Sequence, residues 1–405
     1  MKYLTFLSVF FCFLIASSAS AAEEIKYLTP EEFVIIPWGH IPDDLEVLRT
    51  IRECGFNMAG LASDKTLDLV HEAGLKALLF NPDFHAHHDT LTLGKEEIQK
   101  RADAAAAVAP GHPALYGYFL RDEPGANDYP ALALWREAFS RADPDTPAYI
   151  NLFPNYASPD QMNVPTYEEY VETFIATVKP EILSYDHYAL MEGGVLRNGY
   201  FSNLETIRAA ALRHDLPFWN IVLSNAHFNY MEPTAAGFRF QLYTTLAYGA
   251  KGICYFTYFT PTTGNYRLGP IDQFEDKTPT WHMLRNVNLQ LHRIGPVYIT
   301  LKSKNVFHHP NVPDGCRGME TSLYLSHLEG GDLMAGEFEN PEGQPFVLVV
   351  NKSLHHSCTV EAAFKEGSNI LCVNAWTGLI HAWRGEHRWL APGQGMLMTI
   401  SRIEE

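Results

Sequence analysis

From Glu31 to about residue 259 the chain alternates short apolar runs of strand length with longer segments of helical period, and it does so eight times. The strand-like runs are Phe33 to Trp38, Phe56 to Leu61, Leu75 to Phe80, Leu115 to Leu120, Ala148 to Phe153, Ile182 to Tyr188, Phe218 to Leu223 and Gly252 to Phe259. Helical segments such as Lys95 to Val108, Tyr167 to Val178 and Asn203 to His214 separate them, and Thr280 to Ile294 supplies a last one. Strands joined through helices run parallel, because the crossover returns the chain to the same edge each time. Eight such units in about 260 residues predict an α/β fold of the (β/α)8 TIM-barrel type. The rival is a doubly wound open sheet, but no Gly-x-Gly-x-x-Gly turn follows the first strand and no Walker loop occurs.

Beyond about Pro296 the pattern changes to short alternating runs such as Thr321 to His327, Pro345 to Asn351 and Gly395 to Ile400, separated by turns such as Glu329-Gly330-Gly331-Asp332. This predicts a small antiparallel β-sandwich. The expected division is a leader at 1–22, a catalytic barrel at 23–298 and a sandwich at 299–405. The leader reading rests on Lys2, the apolar run Leu4 to Ala16 and the small residues Ala19-Ser20-Ala21, which mark a cleavable signal peptide and a periplasmic or extracellular destination. That run is shorter than the roughly 20 apolar residues a membrane span needs, and no later stretch is long and apolar enough.

The net charge of −17 repels phosphate backbones and argues against nucleic acid as a partner. Beyond the leader, Cys54, Cys254, Cys316, Cys358 and Cys372 lack CxxC spacing, so they form neither a zinc site nor a dense disulfide framework. One disulfide among the last three is compatible with export.

The fourth strand carries the chemistry. Tyr116 to Phe119 read as buried strand, and the run stops at Asp122 and Glu123, followed by Pro124 and Gly125. Barrel active sites lie at strand C-termini; the competing reading is that these acids and the proline merely open the next helix. The other strand ends offer Trp38, His40, Asp83, His85, Asn151, Asp186, His187, Tyr188, Asn225, Tyr255 and Tyr258, with Trp219 on the seventh strand. Carboxylates for acid and base work, amides and imidazoles for hydroxyls, and flat aromatic faces together suit a carbohydrate.

The segments Gly117 to Pro124, Ser184 to Tyr188 and Leu246 to Ile253 resemble those of bacterial TIM-barrel glycosidases related to glycoside hydrolase family 42 and its clan. The resemblance covers roughly residues 30 to 295 and implies an exported glycoside hydrolase with Glu123 as its acid/base. Asp122 stands where the clan has asparagine. The clan's nucleophile is a glutamate ending strand seven, and here Trp219-Asn220-Ile221-Val222-Leu223-Ser224-Asn225 offers none.

The second carboxylate is then Asp186, on a strand, or Glu232, in the loop after strand seven. Asp186 is preferred because a strand holds a side chain more precisely than a loop does. Lying two strands from Glu123, it is expected to stand far enough away, at roughly 4.8 Å per strand, to leave room for water and an inverting hydrolysis. Two other readings stand beside hydrolysis. One is a carbohydrate-binding barrel without turnover; the other is a metal-dependent hydrolase, suggested by Asp83, His85, His87 and His88 although the His-x-His of such enzymes is missing from strand one. The preferred reading requires no cofactor and no metal.

Overall fold

In the computed structural model, residues 25–401 are described except 86, 87, 368 and the side chain of His88; the predicted leader lies outside the described residues. Eight parallel strands form one sheet: β1 (Val34–Pro37), β2 (Met58–Ala62), β3 (Lys76–Leu79), β4 (Leu115–Asp122), β5 (Ala148–Leu152), β6 (Leu183–Asp186), β7 (Phe218–Leu223) and β8 (Gly252–Phe256). Their order is β1-β8-β7-β6-β5-β4-β3-β2, so chain order is spatial order around a barrel.

The seam between β1 and β2 is closed by Leu61 N–H to Gly39 O at 2.9 Å and Asn57 N–H to Ile35 O at 3.2 Å. The buried Asn57 side chain reinforces it, accepting from Ile35 N–H at 2.8 Å and donating to Phe33 O at 2.7 Å. Gly60 is required there. It has φ +114°, and a Cβ would lie 2.7 Å from Gly39 O.

The strands alternate as parallel barrel strands must. Val34, Ile36, Met58, Leu78, Phe119, Tyr149, Ile221 and Cys254 fill the interior, whereas Ile35, Leu79, Tyr118, Val222 and Tyr255 face the helices. The helices Lys95–Val108 and Tyr167–Val178 have the bounds their sequence predicts, the second capped by the Thr166 side chain, which accepts from Glu169 N–H. The closing helix, Pro279–Tyr298, runs four residues past the expected Ile294. Pro296 falls in its last turn, and Tyr298 OH anchors that turn to Leu246 O and Ala250 O at 2.9 and 3.0 Å.

The C-terminal part is antiparallel. A six-stranded sheet runs in the order Lys302–His309, Leu333–Glu339, Pro345–Asn351, Gly395–Ile400, Ile370–Val373, Ile380–Ala382. Both its faces are covered. Phe346, Leu348 and Val350 join the core shared with the barrel helices, while Val347 and Val349 pack beneath two short ribbons with Leu328, Val360 and Leu390. That double burial is why Phe346 to Val350 is an unbroken apolar run rather than an alternating one. Contact with the barrel is close: a Cβ on Gly336 would lie 2.1 Å from Ala247 O. All five described cysteines are free thiols, so the disulfide considered among Cys316, Cys358 and Cys372 is not formed. Cys316 instead sits 3.8 Å from Tyr248 OH, and Cys358 and Cys372 pack in or against the apolar core beneath the ribbons.

Candidate active site at the barrel mouth

Two local irregularities bring consecutive acids to one place. The register of β4 on β5 shifts between Phe119 and Arg121, so the inward phase set by Phe119 passes to Asp122 rather than to Arg121. Glu123 then takes the left-handed region at φ 46°, which costs a residue with a Cβ roughly 1–2 kcal/mol. In a continuing strand Asp122 and Glu123 would point to opposite faces; the left-handed turn directs both into the mouth. The turn is held firmly. Glu123 N–H donates to Asn151 O at 2.9 Å, Tyr170 OH donates to Pro124 O at 2.6 Å, and a Cβ on Gly125 would lie 2.1 Å from Asn163 Oδ1.

Asn151, at the end of β5, joins the acids. Its Nδ2 donates to Asp122 Oδ1 at 3.0 Å and to Asp186 Oδ1 at 3.1 Å. Ser184 Oγ donates to Asn151 Oδ1 at 3.0 Å, which fixes the amide orientation. Because that uses the only serine proton, Tyr149 OH is the donor in its 2.7 Å contact with Ser184 Oγ. A directed chain therefore runs from the barrel interior to two carboxylates.

Glu123 and Asp186 face each other closely enough for each carboxyl to shift the ionisation of the other. Asp186 is 3% exposed. Burial, then the Glu123 charge, then that of Asp122 push its carboxyl well above the usual range. Burial and the Asp122 charge raise Glu123 to about 7, against the opposing pull of Asp186. Asp122 keeps an open face to solvent while protein crowds its other sides; that crowding raises its pKa, opposed by Asn151 and Arg121. The mutual influence of Glu123 and Asp186 puts the two carboxyls nearer than strand separation led one to expect. The length of the glutamate side chain and the left-handed turn close the gap.

The other predicted residues stand in several places. Trp38 stands edge-on to Phe119, with ring centroids 5.4 Å apart. His85 stacks on Phe119 at 5.1 Å, and His40 meets Phe80 at 4.6 Å; the three line the β1 to β4 side. Tyr188 packs on Phe256 and Tyr230, each at 5.6 Å, on the opposite side. Asn225 is buried and pairs with Nδ1 of His227 at 3.1 Å. Asp83 is exposed on its loop, where Arg101 Nη1 donates to its backbone oxygen at 3.0 Å.

Five residues are placed elsewhere or otherwise engaged. Trp219 is inside the barrel but at the start of β7, packed on Tyr149 and Tyr116 at 5.3 and 5.7 Å, so it fills space below the mouth. Tyr255 faces outward against Phe56, since Cys254 and Phe256 take the inward phase. Tyr258 is also buried among the helices and accepts from Trp281 Nε1 at 2.9 Å. His187 is buried beside Asn203 at 2.9 Å, its pKa lowered to about 4 by burial. Glu232 is exposed and accepts from Arg267 Nε at 2.8 Å, so it is a solvated loop acid rather than a second carboxylate of this cluster. Among the described residues no three His, Cys, Asp or Glu side chains are grouped to hold a metal ion. His87 and the side chain of His88 lie outside the described residues.

The sequence reading passed over Arg197, Tyr156, Tyr230 and Phe228. Arg197 stacks over Tyr156 at 4.1 Å and donates to Tyr188 O and Tyr230 OH at 3.1 and 3.2 Å. Phe228 is 67% exposed in a left-handed conformation, φ 47°. Asn265 clamps it, accepting from Phe228 N–H at 2.7 Å and donating to Phe228 O at 2.9 Å. The aromatic density of Ala226 to Tyr230 was the available signal.

No family model matches the chain, and no curated protein matches it by sequence. Solved structures do match in fold. A glycoside hydrolase of family 5 from Bacteroides vulgatus aligns with a TM-score of 0.60 and 11% identity over 91% of this chain and 89% of its own. A second structure, of a glycoside hydrolase, aligns with a TM-score of 0.58 and 10% identity over 91% of this chain and 92% of its own. A β-galactosidase from the psychrophilic Marinomonas ef1 aligns with a TM-score of 0.51 and 11% identity over 66% of this chain, which spans only 62% of that enzyme. The (β/α)8 architecture is thus one that glycoside hydrolases use.

Proposed function

We propose that the protein is a glycoside hydrolase acting on an oligo- or polysaccharide at the barrel mouth, related to family 42 and its clan, with Glu123 as proton donor. The observation that carries this reading is the cluster of Asp122, Glu123 and Asp186 gathered at the ends of β4 and β6, with Asn151 bonded to Asp122 and Asp186 and Glu123 raised to about 7. A general acid works best with a pKa near the operating pH. Asp186, the more buried partner, holds the pair's second proton site and keeps Glu123 aimed. Asp122 is the carboxylate left with an open face, and it is assigned to orienting the attacking water. Asn151 bridges Asp122 and Asp186, and Trp38, His40, His85 and Tyr188 form the walls against which a sugar ring rests. Residues 1–22 are read as an export signal, which places the enzyme in the periplasm or outside the cell.

The likeness of fold to glycoside hydrolases supports the reading. A second reading, carbohydrate binding without turnover, is favoured by the end of β7. There Leu223, Ser224 and Asn225 offer no carboxylate, and the Gln241 amide is spent on Leu223 N–H and O, both at 3.1 Å. Hydrolysis of a panel of aryl glycosides and plant, algal and mucin oligosaccharides separates the two. Glu123→Gln is expected to lower turnover at least ~100-fold while binding persists; unchanged turnover removes Glu123 from the mechanism, and binding without any turnover favours the second reading.

A further inference from the structure

Two tryptophans of the C-terminal sheet have no place in either of its apolar cores. Trp376 is 60% exposed and Trp389 is 59% exposed, yet both line the same groove of about 220 Å³. Asn374, Glu386, His387 and Gln394 also line it, so amide, carboxylate and imidazole groups stand beside the two indoles.

Both rings are presented by rigid backbone. Asn374 Oδ1 accepts from Trp376 N–H at 2.8 Å and from Thr377 N–H at 3.1 Å. Gly378 N–H donates to Asn374 O at 2.7 Å, and Asn374 N–H to Leu379 O at 2.9 Å. Gly378 presses this turn onto the closing helix, since a Cβ there would lie 2.8 Å from Arg293 O. Trp389 is fixed by pairing with Thr359 across a short ribbon. Gln394 Nε2 donates to Gln290 Oε1 at 3.1 Å, tying the groove's other wall to the same helix.

The groove's lining lies entirely within residues 372–396, so it shares no residue with the strand ends that carry Glu123 and Asp186.

We infer that this groove is a second carbohydrate-binding site, which holds a sugar ring of a polysaccharide chain on the Trp376 and Trp389 faces without hydrolysing it. Indole faces cover the C–H side of a pyranose, and the neighbouring amide and carboxylate groups meet its hydroxyls. The groove's volume suits a single ring. Nothing in this inference requires turnover at the barrel mouth.

The test is native gel electrophoresis of the full chain in gels carrying hydroxyethyl cellulose, xyloglucan, galactan or mannan. At least one polysaccharide is expected to retard the protein. Trp376→Ala and Trp389→Ala should each weaken that binding roughly tenfold, Trp376→Phe should recover most of it, and Glu123→Gln should leave it unchanged. Failure of all four polysaccharides to retard the wild type overturns the inference, as does retardation that Trp38→Ala relieves and the two tryptophan variants do not. Retained binding with a change of oligomeric state in the tryptophan variants overturns it in favour of a protein contact.

Discussion

Glu123, just after β4, and Asp186, at the end of β6, face each other at the barrel mouth and each shifts the other's ionisation, with Asn151 of the intervening β5 hydrogen-bonded to Asp186. Burial and the Glu123 charge both oppose ionisation of Asp186, and burial and the Asp122 charge oppose ionisation of Glu123. The pair therefore titrates as a unit, and its protonation governs both activity and stability.

Stability should fall as pH rises. Both carboxyls have folded-state pKa values above their ordinary ones, so folding favours the protonated forms. The stabilisation is full below about pH 4, where the unfolded chain is also protonated, and for Glu123 it is lost as pH rises to about 7. The thermal midpoint of the wild type is expected to be lower at pH 8 than at pH 5. Asp186→Asn should flatten this trend, and an equal decline in that variant would argue against the pair as its source.

Activity should follow the same proton. With Glu123 as donor, kcat is expected to decline as pH rises through about 7. Ser184→Ala, which frees the Asn151 amide to turn, should shift that limb and lower kcat while KM stays near the wild-type value. An unmoved pH limb would show that the Tyr149–Ser184–Asn151 chain does not orient the acids.

Phe228 is expected to matter for binding and not for folding. Its ring is solvent-exposed and its backbone is clamped by Asn265, while His227 beside it stacks on Tyr266 at 4.5 Å. Phe228→Ala should raise KM for oligosaccharides several-fold, about 1 kcal/mol for a lost aromatic face, and leave kcat and the thermal midpoint unchanged. A fall in the midpoint would reassign the ring to packing.

Gly336 tests the contact between sheet and barrel. With Ala247 O only 2.1 Å from where a Cβ would lie, Gly336→Ala should destabilise the protein by about 1–3 kcal/mol through overpacking. Chemical denaturation measures this directly, and a neutral outcome would mean that the sheet can move away from the helix Ala235–Ala247.

The barrel was legible because parallel strands buried on both faces are continuous apolar runs; Phe218–Leu223 has the bounds its sequence predicts, and the others differ by a few residues. Glu123, Asp186 and Asn151 were legible as strand-end polar groups. Their mutual contact was not, because it depends on the register shift in β4 and on the left-handed Glu123, neither of which leaves a periodic mark. Tyr255 was readable and misassigned: Cys254 and Phe256 face inward, so period two already sends Tyr255 outward. Arg197 and Phe228 stand in loops, whose course no periodicity encodes.

Infrared difference spectroscopy of the carboxyl C=O stretch between pH 5 and 9 tests the Glu123–Asp186 pair most directly, since it needs no substrate. The wild type is expected to keep a protonated-carboxyl band at pH 6 to 7, where ordinary carboxylates are ionised, and Glu123→Gln and Asp186→Asn should each shift or remove it. Complete ionisation of the wild type by pH 6, or a band untouched by both substitutions, would contradict the opposed ionisation on which the proposed mechanism rests.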